Sequence, residues 1–297
     1  MNLSAKRGLF RLFFLSCSAL LTFAFLFLFL RPGFAQSQES HAQDGILFAF
    51  DPSKLEGIEI PRCQGTYSHG DSTERLRDHK MHWATGFAFC YRPSYGESEW
   101  VAYTLNAKKL TVAVNRQGSF KADPSVPGGT ATTQDYTNSG YDRGHLAPAA
   151  DMRYSEDAMR ESFFMSNIAP QLPHFNRVSW AALEAAVREL AGTSETVWIV
   201  TGPVLNKTDF KRIGKTVQIA VPEYFYKVIL ADKGRDAASG KNRFTTRAYL
   251  MPNIAGVLSF DNYACSIDEV EKMTDMDFFS RLPDELENAL EATVMPK

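Results

Sequence analysis

"YDRGHLAPAADM", Tyr141 to Met152, is the stretch on which the reading of this chain turns. The chain has six histidines in 297 residues, and this stretch sets His145 directly behind Asp142-Arg143-Gly144. Histidine alone has an unperturbed pKa near neutrality, so it can take a proton from water. A packed or surface histidine is the plain alternative, and for a lone residue that alternative wins. A second stretch shifts the balance. "FFMSNIAPQLPHFNRVSWAALE", Phe163 to Glu184, supplies Asn167, Asn176 and Glu184 in an apolar setting. From Asn176 to Glu184 is two helical turns plus about 80°, which places both at one cleft, one at the mouth and one deeper. Taken singly, Asn167 reads as a turn residue, Asn176 as a helix cap and Glu184 as a solvated helix residue.

Outward from these blocks, runs rich in Val, Ile, Phe, Tyr and Trp predict strands over Trp83–Tyr91, Trp100–Leu105, Ser162–Ser166, Thr196–Thr201, Phe225–Leu230 and Phe244–Pro252. Helical patterns alternate with them. Across Asn176–Gly192, Trp180, Leu183, Val187 and Leu190 recur at helical spacing, and Gly192 is a natural stop. Ser266–Leu282 opens with Ser266 as a cap and acids in its first turn. Pro283–Leu290 follows as a short last helix. Strands dominate the middle and helices interrupt it, so the class is α+β.

The N-terminus raises a question of place. Lys6, Arg7 and Arg11 precede an almost wholly apolar run, Leu12 to Leu30, and small Ala35 precedes Gln36. That is the order of a secretory signal peptide, and the run is also long enough to span a bilayer as an uncleaved anchor. Residues 1–35 are therefore read as signal or anchor, 36–45 as a linker and 46–297 as one domain. The expected location is exported, periplasmic or secreted, with N-terminal membrane anchoring as the alternative. Without residues 1–35 the chain keeps 28 basic against 34 acidic residues, a net −6. That counts mildly against a simple DNA-coating protein, which is usually basic, although a local basic cleft can still act. Outside the apolar run lie Cys63, Cys90 and Cys265, read as one disulfide and one free thiol with the pairing open. No two are spaced like a zinc knuckle.

Together the two blocks resemble the DNA/RNA non-specific endonuclease family of ββα-metal, or His-Me finger, nucleases. Asp142-Arg143-Gly144-His145 with Leu146-Ala147-Pro148 stands where that family has its first signature. Ser166-Asn167-Ile168-Ala169-Pro170-Gln171, then Asn176, Trp180 and Glu184, stand in the order and spacing of its second. The likeness runs from about Trp83 to Leu290. It implies a central antiparallel-rich sheet with flanking helices and a ββα-metal finger, one strand ending near His145, a second ending near Asn167 and a helix starting near Asn176. It implies His145 as general base, Asn176 as the protein ligand of Mg²⁺ (Mn²⁺ as the substitute), and Glu184 as the holder of the ion's water. Arg143 and Asn167 would meet the phosphate, Asp142 would orient the loop, and Arg116, in "VNRQGSFKADPSV", would be a further catalytic arginine. DNA and RNA would be the substrates, a homodimer a possible assembly, and a membrane a partner only if the N-terminal segment stays attached. Two rival functions stand beside this one: a catalytically inactive binding protein of the same fold, and a phosphodiesterase acting on a small phosphoester.

Overall fold

Side chains alternate across a strand, and in this chain that alternation divides the core into two, one on each face of a single large sheet. The computed structural model describes residues 45–63, 78–257 and 259–294. Residues 1–35, read as signal or anchor, and most of the linker lie outside these.

The strands are β1 (Ile46–Phe48), β2 (Arg62–Cys63), β3 (Lys80–Trp83), β4 (Ala88–Arg92), β5 (Glu97–Leu105), β6 (Asp142–His145) and β7 (Ile168–Gln171). They continue as β8 (Thr196–Pro203), β9 (Arg212–Ile213), β10 (Ile219–Ala220), β11 (Tyr224–Arg235), β12 (Asn242–Pro252), β13 (Ala264–Cys265) and β14 (Met276–Asp277). The α-helices are α1 (Ala107–Thr111), α2 (Glu156–Glu161), α3 (Ala181–Gly192), α4 (Ile267–Thr274) and α5 (Asp284–Glu291). Eight strands form the main sheet in the order β1-β12-β11-β8-β5-β4-β3, with β13 beside β12. Its pairings are all antiparallel, as the α+β reading expects.

Tyr91, Val101, Tyr103, Ile199, Phe225 and Ile229 point to one face and pack with Leu183, Val187 and Ala191 of α3. Trp100, Ala102, Val200, Tyr226 and Val228 point to the other, where Ile267 and Val270 of α4 and Leu286 and Leu290 of α5 cover them. The Ser266 cap is part of a full capping box with Glu269. Among the described residues no helix is long and apolar enough to cross a membrane.

Four segments differ from the sequence expectation. Trp83–Tyr91 is not one strand but the end of β3, a turn in which Ala84 N donates to Phe87 O at 2.8 Å, and most of β4, which pairs back on β3. Ser162–Ser166 is not a strand. It leads into one 3-10 turn, Met165–Asn167, and β7 begins only after it, because the Asn167 amide bonds the backbone of Ala147 and Ser162 instead of leaving it to a ladder. The helix from Ser266 ends at Thr274, where Asp275 turns left-handed at φ 57° and β14 goes on to pair with β2. The helix expected from Asn176 begins one residue earlier, as a π turn over Phe175–Trp180 that continues into α3. Cys90 and Cys265 do not bridge each other; the Cys63 side chain lies outside the description, so the pairing stays open.

Candidate active site

A small antiparallel pair, β6 and β7, stands apart from the main sheet and carries the first motif. Its register sets Asp142 opposite Gln171, Gly144 opposite Ala169 and His145 opposite Ile168. Gln171 lies flat across Gly144: a Cβ there would stand 2.1 Å from Gln171 Oε1. Glycine is thus required by close approach, since Gln171 is itself fully buried. The second strand starts, rather than ends, near Asn167, and otherwise the finger has the expected order: strand, strand, helix.

His145 lies between aromatic rings, with centroids 5.4 Å from Phe120 and 5.1 Å from Phe163. Its Nε2 is buried and has no hydrogen-bond partner among the described residues. Burial first, and then the positive charge of Arg116, push its pKa down to about 3. The imidazole is therefore neutral at physiological pH, the form that can accept a proton. Arg143 lies over the Phe120 ring at 4.9 Å and exposed Arg116 over the Phe163 ring at 5.2 Å. Phe120 and Phe163 so hold the base and the two arginines in one cluster, with neither guanidinium in an ion pair among the described residues.

Asn176 sits in the π turn, a helix distortion that recurs at functional sites. Its Nδ2 donates to Asp142 Oδ2 at 2.9 Å, and Oδ1 is without a protein partner among the described residues. Arg177 grips the same carboxylate with Nε at 2.7 Å and Nη2 at 2.6 Å. Burial acts to raise the Asp142 pKa, but the bonds from Arg177 and Asn176 outweigh it and hold the carboxyl below its ordinary value. These bonds tie Asp142 to the start of the helix.

A π turn holds more residues per turn than an α-helix, so each residue advances the helix by less. Over the four steps from Asn176 to Trp180 the deficit comes to roughly 70°. By these ideal angles most of the offset between Asn176 and Glu184 is removed, so the two positions fall on one helix face. Glu184, half-buried in α3, is pushed up in pKa by burial, against the opposing charge of Lys227. Lys227 is fully buried on β11, its Nζ without a hydrogen bond among the described residues and 4.7 Å from the Trp180 ring centroid. Burial pushes its pKa down while Glu184 holds it up. Behind them Asp151 accepts from Tyr103 Oη and Arg188 Nη1, both at 2.8 Å.

Asn167 requires a correction. Its side chain is fully buried, and all its bonds go to backbone: Oδ1 accepts from Ala147 N at 2.9 Å, and Nδ2 donates to Ala147 O at 2.9 Å and Ser162 O at 2.8 Å. A side chain so enclosed has no atom to offer a phosphate. It fixes the loop two residues beyond His145 instead. The other expected residues, His145, Arg143, Arg116, Asn176 and Glu184, sit on the finger and the elements packed against it.

Three participants were not assigned from sequence. Gln171 was visible in the second motif, but its packing on Gly144 needs the β6–β7 register. Lys227 was signalled by a lone lysine inside the apolar strand "YFYKVIL". Arg177 had only its position after Asn176 to mark it.

The oxygen groups of the predicted set that a cation could use are the Asn176 amide oxygen, which has no protein partner among the described residues, and the carboxyl of Glu184. An all-oxygen set suits a hard divalent ion such as Mg²⁺ or Mn²⁺ and does not suit a thiolate-seeking metal.

Residues 72–285 match the model of the family described as DNA/RNA non-specific endonuclease. The chain belongs to that family, one of metal-dependent endonucleases. It is 37% identical over 239 residues to the zebrafish (Danio rerio) protein "Nuclease EXOG, mitochondrial", covering 76% of this chain and 67% of that one. It is 34% identical over 205 residues to the human protein "Endonuclease G, mitochondrial", covering 65% and 67%. The chain thus matches about two thirds of the length of these relatives. Among solved structures, EndoG in its complex with EndoGI aligns at a TM-score of 0.62 and 31% identity, over 69% of this chain and 88% of that chain. Nuclease family, α+β fold and nucleic-acid substrate class accord with the sequence reading. The location does not. Relatives named as mitochondrial overturn the exported, periplasmic or secreted expectation, and with it the anchoring alternative.

Proposed function

We propose that this family member is a Mg²⁺-dependent endonuclease, with Mn²⁺ as an accepted substitute, that hydrolyses phosphodiester bonds in DNA and RNA with little sequence preference. The observation that carries the reading is His145: a neutral imidazole with an unpartnered Nε2, clustered with two unpaired guanidiniums. His145 takes a proton from the water that attacks phosphorus, and the bond from phosphorus to the leaving oxygen breaks. Arg143 and Arg116 face the phosphate oxygens on which negative charge grows, where a planar fork of donors fits best. An arriving phosphate also raises the proton affinity of His145, because its charge opposes that of Arg116. Asn176 would hold the cation through Oδ1, and Glu184 its water. When bound, the cation supplies Lewis acidity at the phosphate and stabilises the leaving oxygen. Asn167 serves as a positioning residue for the loop after the base. Contacts to phosphate rather than to base edges give weak sequence preference.

The test is digestion of plasmid DNA and of RNA by the purified chain with Mg²⁺, with Mn²⁺ and with chelator. Chelation should stop it, and His145→Ala should lower the rate by about 10²–10⁴-fold. An undiminished His145→Ala protein would remove the general base. Turnover of a small diester with no action on polymers would favour the small-phosphoester reading. A homodimer is the assembly we propose. Trp83, 69% exposed on the edge strand β3, supports it, and light scattering of the purified chain showing a monomer would exclude it.

A further inference from the structure

Arg177 lies outside the residues assigned to catalysis, yet its guanidinium bonds both oxygens of a motif carboxylate. Two of its nitrogens, Nε and Nη2, meet the two oxygens of Asp142 at 2.7 and 2.6 Å, while Asn176 Nδ2 shares Oδ2 at 2.9 Å. An exposed ion pair of this kind adds little to stability, and the Arg177 side chain is 68% exposed. Its geometry has a sharper consequence. An amide can present either oxygen or nitrogen to a neighbour. A carboxylate can only accept, so an immobile Asp142 forces the Asn176 nitrogen inward and its oxygen outward. Asp142 is immobile only while something fixes both of its oxygens, and Arg177 is the group that does.

We propose that Arg177 is a positioning residue whose bidentate grip on Asp142 fixes the Asn176 amide with its oxygen turned towards a divalent cation. The inference rests on Asn176 being the cation's ligand. It differs in sign from a simple charge effect. A guanidinium near a cation repels it, so by Coulomb's law alone removing Arg177 would tighten cation binding. Loss of positioning weakens it. Arg177→Lys separates the two further, because it keeps the charge and loses the fork.

The experiment measures Mn²⁺ affinity by electron paramagnetic resonance on the full chain without substrate. Variants are Arg177→Ala, Arg177→Lys and Asn176→Ala, each checked for folding by circular dichroism. Arg177→Ala should bind Mn²⁺ about 10-fold more weakly; Arg177→Lys should fall between it and the parent, and Asn176→Ala should lose the site. Equal or tighter binding by Arg177→Ala, beside a failed Asn176→Ala, would overturn the proposal and leave the ligand assignment standing. Parental affinity in Arg177→Lys would show that charge without the fork suffices and would also overturn it. Parental affinity in Asn176→Ala would remove the ligand assignment and the proposal together.

Discussion

The two faces of the central sheet both bury aromatic cores, but they bury different kinds of polar group. Towards α4 and α5 the buried surface is made by Trp100, Tyr226, Phe278, Phe279 and aliphatic residues. Tyr226 there donates its hydroxyl to Glu99 O at 2.9 Å. Towards the finger, Arg143 Nε, His145 Nε2, both amide atoms of Gln171 and Lys227 Nζ are buried without hydrogen-bond partners among the described residues. Each such group costs stability unless something bonds it. The face that carries chemistry thus keeps a fully buried lysine and the reactive nitrogen of a histidine, whereas on the opposite face the comparable atoms are Trp100 Nε1 and one oxygen each of the half-buried Glu287 and Glu291 of the covering helix. An active site of this kind needs a firm back wall.

Substitutions on the two faces should therefore separate stability from activity. The largest loss of stability is expected from Phe278→Ala, fully buried against the C-terminal helices. It should cost about 3–5 kcal/mol while leaving kcat unchanged well below the melting point; a parallel fall in kcat would break the division. Gly144→Ala should cost less, about 1–3 kcal/mol of overpacking, and should lower activity sharply, since the added methyl displaces Gln171 beside the base. Gly144→Ala with Gln171→Ala should recover the melting temperature, and failure to recover would show that the backbone itself cannot take a side chain there.

A smaller effect is expected from pH. The folded-state pKa of His145 lies far below its unfolded value, so the unfolded chain binds the extra proton first and stability drains away as pH falls from about 6.5 towards 3. His145→Ala should flatten that part of the melting-temperature profile relative to the parent. An unchanged slope would mean that the ring is not desolvated. The smallest effect belongs to the surface. Asp157→Asn removes the exposed pair with Arg160 and should shift stability by less than about 0.5 kcal/mol, with no change in either face's behaviour.

Much of this was legible in the chain because local patterns and tertiary needs agree. The strands from Trp100 onward and the cap at Ser266 follow from apolar alternation and hydrogen-bonding side chains that act over a few residues. Gly144 and His145 stood out because Asn167, Asn176 and Glu184 follow them in the order and spacing of a known nuclease signature. What could not be read depended on partners distant in sequence. Asn167 looked free because nothing local shows that Ala147, twenty residues earlier, occupies its amide. Ser162–Ser166 has the composition of a strand, but its backbone is claimed by that same asparagine. Arg177 and Lys227 acquire meaning only when Asp142 and Glu184 are brought beside them.

The π turn at Phe175–Trp180 bears on how such chains are compared. In an uninterrupted α-helix, seven residues come within about 20° of two full turns. By taking up roughly one extra residue, the π turn makes the eight-residue interval from Asn176 to Glu184 the angular equal of a seven-residue one. What the site requires is a rotation, not a count. A one-residue deletion inside the turn that restored ordinary helix would leave both side chains facing the same way. A one-residue insertion between Ala181 and Leu183 would swing Glu184 away by about 100°, although by residue count the two edits are equally slight.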